Sequence, residues 1–260
     1  MNPGVLPHFV DTSVLIHYAE RGQDESNPIF AYMECKLLAK YTSTAPYEEY
    51  TKTYRMVGTL TTGFLREIKN DTALIQSKEL REEILDRFAN YSSNSFPHIA
   101  KIIQRKVTSL VNQYIPEIAE RAERHRSGTA LSEAVEDCIQ DVDDLVGVMQ
   151  GCLVRLCRDG YVKCYTVGRG ERYSVRNAQY LKRLFDEIDD RRSSDVLAEA
   201  YHIRKAILNL SNLCLVTWRP GILNHQNKIK KNRVGIYPAS PEKIFELHKD
   251  LIYNSTDIRT

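Results

Sequence analysis

"PHFVDTSVLIHY", residues 7–18, is the stretch on which the fold turns. Phe9 and Val10 lead into Asp11, then come Thr12 and Ser13, then Val14, Leu15 and Ile16. A strand buried on both faces of a parallel sheet reads as a near-continuous apolar run of this kind. Residues 8–16 are therefore expected as a first strand. A carboxylate in such a run is costly to bury unless it is paired or bound to a metal. Ligands of open parallel sheets bind beyond the carboxyl ends of the strands, so Asp11 is the first candidate functional group.

Working outward, "YTSTA" at 41–45 reads as a short second strand, and Pro46 suits the first turn of a following helix. From about 64 to 155 the helical signal dominates. Ile99, Ile102, Ile103, Val107, Leu110, Val111, Tyr114, Ile115 and Ile118 recur at spacings of three and four, an amphipathic stripe that Pro116 should kink or restart. Leu131, Ala134, Val135, Cys138, Ile139, Val142, Leu145, Val146 and Met149 repeat the pattern. Both stripes read as core packing rather than a cofactor site. "YVKCYTVGRGERYSV", 161–175, is expected as a hairpin or a strand and loop broken at Gly168–Gly170. Helices follow at about 177–190 and at 195–209, the second capped by Ser193–Ser194. "LCLVTW", 213–218, and "VGIYPAS", 234–240, are two more strands, and a last helix covers about 241–252. Apolar strands separated by long helical segments indicate an α/β fold, with a parallel sheet covered on both faces.

The 260 residues carry a net charge of +2, with 42% hydrophobic and 27% charged residues, so total charge names no partner. Its distribution says more. Tyr201 to Ser240 contains no acid but includes Arg204, Lys205, Arg219, Lys228, Lys230, Lys231 and Arg233. Residues 132–144 carry acids and no base. Segregation of this kind offers a basic face to a polyanion, and "NHQNKIKKNR" at 224–233 is its densest part. The six cysteines form no CxxC pair and no zinc spacing, which fits reduced thiols. The longest apolar stretch is far short of the roughly 20 residues a membrane helix needs. No basic start followed by an apolar core marks a signal peptide, since Asp11 and His17 interrupt the run. A cytoplasmic location without membrane attachment is expected.

Three acidic features fall near expected strand ends: Asp11, the pair Glu48 and Glu49, and Asp195 with Glu199 one helical turn later. Carboxylates that converge from distant parts of a chain can hold hard divalent cations through oxygen ligands. Such ions can activate water and stabilise the charge that develops when a phosphodiester is cut. Taken singly, each acid reads more readily as a helix cap or a surface residue.

"FVDTSVLIHY" resembles the first strand and turn of the PIN-domain (PilT N-terminus-like) nucleases, and "TSTAPYEEY" and "SSDVLAEAYHI" resemble their second and third motifs. "LCLVTWRPGIL" is similar to the fourth, and "VGIYPASPEKIF" to the closing strand and helix. The likeness covers about 1–60 and 160–250. It implies a three-layer sandwich as a single domain over 1–260, with residues 64–158 as a large helical insertion. It further implies that Asp11, Glu49 and Asp195 are catalytic metal-binding acids for Mg2+ or Mn2+, with Glu199 as a possible fourth. Thr12, Ser13, Glu48 and Thr217 would support them. The implied activity is hydrolysis of RNA, with Arg219, Lys228, Lys230, Lys231 and Arg233 against the RNA.

The departure is at the fourth acid, where Arg219 stands in place of the family's usual aspartate. Either Arg219 contacts a phosphate beside the remaining acids, or the site is degenerate and the domain binds RNA or scaffolds a complex, with a protein partner or a second copy. A third expectation takes 153–175 as a winged helix, with Arg169 and Arg172 on duplex DNA.

Overall fold

The computed structural model describes residues 6–21, 27–71, 73–74, 77, 79–125, 128–188 and 190–256. The chain divides into two compact units, Met1–Tyr50 with Gly151–Thr260, and Thr51–Gln150.

The first unit is built on a five-stranded, wholly parallel sheet. Its strands are β1 (His8–Val10), β2 (Lys40–Ser43), β3 (Lys163–Tyr165), β4 (Leu213–Val216) and β5 (Ile236–Ala239), in the order β3-β2-β1-β4-β5. Its helices are α1 (Thr12–Arg21) and α2 (Pro28–Glu34), the start of α3 (Thr44–Asn70) and the end of α6 (Gly128–Arg158). After β3 come α7 (Arg169–Asn177), α8 (Gln179–Glu187) and α9 (Arg191–His202), the last prolonged by a π-turn at Ile203–Ile207. α10 (Pro220–Leu223), α11 (Gln226–Lys231) and α12 (Pro241–Thr256) complete it.

The period of two in a strand sends neighbours to opposite faces. Phe9, Leu213, Leu215 and Ile236 join the core that contains Leu184 and Phe185 of α8 and Val196, Leu197, Ala198 and Ala200 of α9. His8, the neighbour of Phe9, instead meets Tyr32 of α2 and His248 of α12. Both faces of the sheet are therefore covered, as a parallel sheet requires.

The register pairs Phe9 with Leu215 and Val10 with Val216. The strand order reverses between β1 and β4: the chain moves outward from β1 to β2 and β3, then returns to β4 and β5. The crevice beyond the carboxyl ends of these two central strands is the topological switch point, where open α/β sheets bind ligands.

The second unit is helical among its described residues. It contains most of α3 and α6, together with α4 (Leu80–Ser95) and α5 (Lys101–His125). Phe64, Leu65 and Ile68 of α3, Ile84 and Phe88 of α4, Val107, Val111 and Ile118 of α5, and Val135 and Val142 of α6 form one core. Gly58 lets two helices approach closely, since a Cβ there would lie 2.9 Å from the Val146 side chain.

Several expectations need correction. The first strand stops at Val10, and the apolar residues after Asp11 belong to α1, with Val14, Leu15 and Tyr18 buried on one helical face. A short apolar run fits either period, so the pattern alone does not mark this boundary. Residues 161–175 form no hairpin: β3 pairs with β2 in parallel, and α7 begins at Arg169. The wing of the winged-helix reading is therefore absent. The helix expected over about 177–190 is α8, shortened to Gln179–Glu187 and preceded by the unexpected α7, and the one expected from 195 begins at Arg191. α5 continues through Pro116, with Ile115 and Ile118 buried on either side of it. Among the described residues, no helix is long and apolar enough to cross a membrane.

Candidate functional site: an arginine-centred carboxylate cluster

The switch point holds Asp11, the first residue after β1, which is fully buried. Its backbone carbonyl accepts the N–H of Val14 and Leu15, so it also starts α1. Among the described residues its side chain has four donors. Oδ1 accepts the Thr12 N–H at 2.6 Å, and Oδ2 accepts the hydroxyls of Ser13 at 2.9 Å and Thr217 at 2.7 Å. The fourth is Arg219, whose Nε lies 3.1 Å from Oδ1 and 2.9 Å from Oδ2.

Local structure explains how Arg219 reaches it. β4 ends at Val216, and Thr217 donates its N–H to Ala239 O, so the chain stays in line with β5 for one more residue. Thr217 Oγ1 then accepts the Arg219 N–H at 2.9 Å while donating to Asp11. Arg219 precedes Pro220, and the residue before proline is pushed to extended backbone, here φ −65° and ψ 117°. Gly221 allows close packing on α9, since a Cβ there would meet Ser193 Oγ at 2.8 Å.

The same guanidinium reaches Glu49 through Nη2. Glu49 is also 3.5 Å from Arg192 at the start of α9. Only 14% of the Arg219 side chain is exposed. Burial disfavours its charge, but Asp11 and Glu49 outweigh that and hold it above its ordinary range. The expectation of Arg219 laid against a phosphate is thus not how the residue sits: it is turned inward onto the two acids.

The remaining expected acids are engaged elsewhere. Asp195 and Glu199 do share one face of α9, but that face meets α7. Arg176 pairs with Asp195 at 2.8 Å and Arg172 pairs with Glu199 at 2.9 Å, two rungs one turn apart on both helices. Glu199 is fully buried and also accepts the hydroxyl of Ser43, the last residue of β2. Asp195 is not the opening residue of its helix. That is Asp190, whose carboxylate accepts the N–H groups of Arg192 and Ser193 and the Ser193 hydroxyl. Partial burial opposes the Asp190 charge, but these bonds, with Arg219 nearby, hold its carboxyl below the usual range.

The supporting residues divide. Ser13 and Thr217 donate to Asp11 as expected, and Ser13 also accepts the Trp218 N–H at 3.0 Å. Thr12 supports Asp11 through its backbone N–H, while its hydroxyl donates to Pro46 O at 3.1 Å. Glu48 is exposed. On α11, Ile229 is buried while Lys228, Lys230 and Lys231 are exposed, as is Arg233 beyond it. Lys228 pairs with Glu187 at 2.9 Å.

Residue types alone did not single out Asp190, Arg192 and Arg176, and the sequence marks Arg172 only as a DNA contact, not as the partner of Glu199. An aspartate immediately before "RRSSDVLAEA" was the available signal for Asp190, as a helix cap. The partnership of α7 with α9 had no signal, since Arg176 and Asp195 come together only through packing.

Charge decides what this arrangement holds. Asp11, Glu49, Asp195 and Glu199 are each paired with an arginine, and both Asp11 oxygens are already engaged by two or more donors. Divalent hard cations need several oxygens that are not so engaged. Among the described residues no group of three or more His, Cys, Asp or Glu is arranged to hold a metal ion. The residues therefore do not fit a Mg2+ or Mn2+ centre in this arrangement. No family model, curated protein or solved structure matches the chain.

Proposed function

We propose that the chain is a PIN-like domain in which Arg219 stands where a cation would bridge the acids, and that it binds RNA without cutting it. The observation that carries this reading is the Arg219 guanidinium, shared between Asp11 and Glu49 at the topological switch point. A fixed side-chain cation there neutralises the acids that a cleaving site would leave to a metal. The PIN-like part is supported by the strand order, the parallel sheet and the position of Asp11 at the end of β1. RNA as the ligand is supported by the exposed lysines of α11 and by the acid-free stretch from Tyr201 to Ser240 around them.

The test is binding and cleavage on one sample. Fluorescent single-stranded RNA is titrated with the full chain at several salt concentrations, then incubated with Mn2+ or Mg2+. The reading expects salt-dependent binding with the RNA left intact. Mn2+-dependent cleavage that disappears in Asp11→Asn would overturn it in favour of a nuclease. That second reading is itself favoured by one observation, a fully buried aspartate at the place where open α/β sheets put their ligands.

A further inference from the structure

Within the helical unit, α3 and α4 leave a cleft between them. α3 contributes Phe64, Glu67 and Ile68, with Asp71 just past its end, and α4 contributes Arg87, Asn90, Tyr91 and Asn94. Both sets follow the three-and-four spacing that places residues on one side of a helix. The cleft has a volume of about 270 Å³. Phe64, Ile68 and Leu74 are fully buried and make its apolar floor. Small-molecule sites share this make-up, an apolar surface with a few placed polar groups.

The aromatic wall is fixed in place. The Tyr91 hydroxyl donates to Leu60 O at 3.0 Å, and its ring lies 5.5 Å from that of Phe64. Gly63 makes room for it, since a Cβ there would lie 2.9 Å from the Tyr91 hydroxyl oxygen. With that hydroxyl committed to the backbone of α3, Tyr91 offers the cleft its ring.

The polar groups of the rim are not balanced. Arg87 pairs with Asp71 at 3.0 Å, so these two charges offset each other. The side chains of Glu67, Asn90 and Asn94 carry no hydrogen bond or ion pair among the described residues. One uncompensated carboxylate therefore stands beside two free amides and two aromatic rings.

We infer that this cleft binds a small organic ammonium ion, its apolar body on Phe64, Ile68 and Leu74 and its charge at Glu67. An ammonium group has three donors and no acceptor. The Glu67 carboxylate and the amide oxygens of Asn90 and Asn94 are acceptors for it, and an aromatic face such as that of Tyr91 attracts a cation. An anion would be repelled by Glu67, and a neutral ligand would gain nothing from its charge. No residue of the arginine-centred cluster takes part, so the inference does not rest on RNA binding.

The experiment titrates the full chain with phenethylamine, its neutral analogue phenethyl alcohol and the anion phenylacetate, read by saturation-transfer NMR. Saturable binding of the amine is expected, with phenylacetate silent. The alcohol should bind roughly tenfold more weakly, the loss of one hydrogen bond to a charged group. Glu67 is exposed, so Glu67→Gln should leave the unfolding temperature unchanged and lower the amine's affinity to that of the alcohol. Absence of saturable amine binding overturns the inference, as does equal binding of amine and alcohol. Amine binding that is unchanged in Glu67→Gln puts the cation elsewhere and overturns it as well.

Discussion

Arg219 holds Asp11 with its Nε, 2.9 Å from Oδ2, and holds Glu49 with Nη2 of the same guanidinium. One side chain thus joins the end of β1 to the first turns of α3. Arg219→Ala leaves Asp11, fully buried, without its charge partner. Removing one member of a buried ion pair costs about 3–5 kcal/mol. Residues in contact are not additive, so the double variant Asp11→Ala/Arg219→Ala should lose less than the sum of the two single losses, by about 0.5–3 kcal/mol. Denaturant unfolding of the four proteins measures this directly, and strict additivity would show that the pair is not coupled.

The two rungs between α7 and α9 should differ in strength. Glu199 is fully buried against Arg172, whose side chain is 14% exposed, so Glu199→Ala should cost about 3–5 kcal/mol. Asp195 and Arg176 are 29% and 32% exposed, and solvent screens such a pair, so Asp195→Asn should cost about 0–1 kcal/mol. Paired denaturation curves check the contrast. Equal losses would contradict the placement of these acids.

Acid should destabilise the fold through His8. Burial, followed by the nearby charges of His248 and Lys40, lowers its pKa from 6.5 to about 3. Between those values the unfolded chain takes up a proton that the folded chain refuses. Stability therefore falls as pH drops below 6.5, by up to about 1.4 kcal/mol per pH unit from this group. His8→Phe should flatten that slope, measured as unfolding free energy against pH. A variant with the original slope would assign the acid sensitivity to other groups.

If RNA lies across α11, the lysines there meet phosphates, not bases. Lys230→Ala with Lys231→Ala should weaken binding to every sequence alike. It should also reduce the slope of log K against log salt by about 0.7 for each single-strand phosphate left without its lysine. Lys228→Ala should do less, since Lys228 is paired with Glu187. Salt-titrated anisotropy with two unrelated oligonucleotides separates these outcomes.

Much of the architecture was legible because buried parallel strands leave a strong mark. "LCLV" at 213–216 is a continuous apolar run, the entry at 8–10 adds Phe9 and Val10 after His8, and both are fully buried strands. The stripes of α5 and α6 were equally clear: Val107, Val111, Ile115 and Ile118, then Leu131, Val135, Cys138 and Val142, are all core. What failed was local and physical. α7 has no buried residue, so its apolar residues give no helical stripe, and the alternation of 161–165 does not extend into it. The site was half legible. Asp11, Ser13 and Thr217 meet as expected, and Arg219 beside them stands out in the sequence as a departure from the pattern. The inward turn of Arg219 and the arginine partners of Asp195 and Glu199 depend on how helices pack, and no spacing encodes that.

The most direct measurement is calorimetric titration of Mn2+ into the full chain and into Asp11→Asn. With Arg219 already seated between Asp11 and Glu49, the expected result is no saturable binding that depends on Asp11. Saturable binding to the unmutated chain that vanishes in Asp11→Asn would contradict it, and would make the arginine-centred cluster a metal site after all.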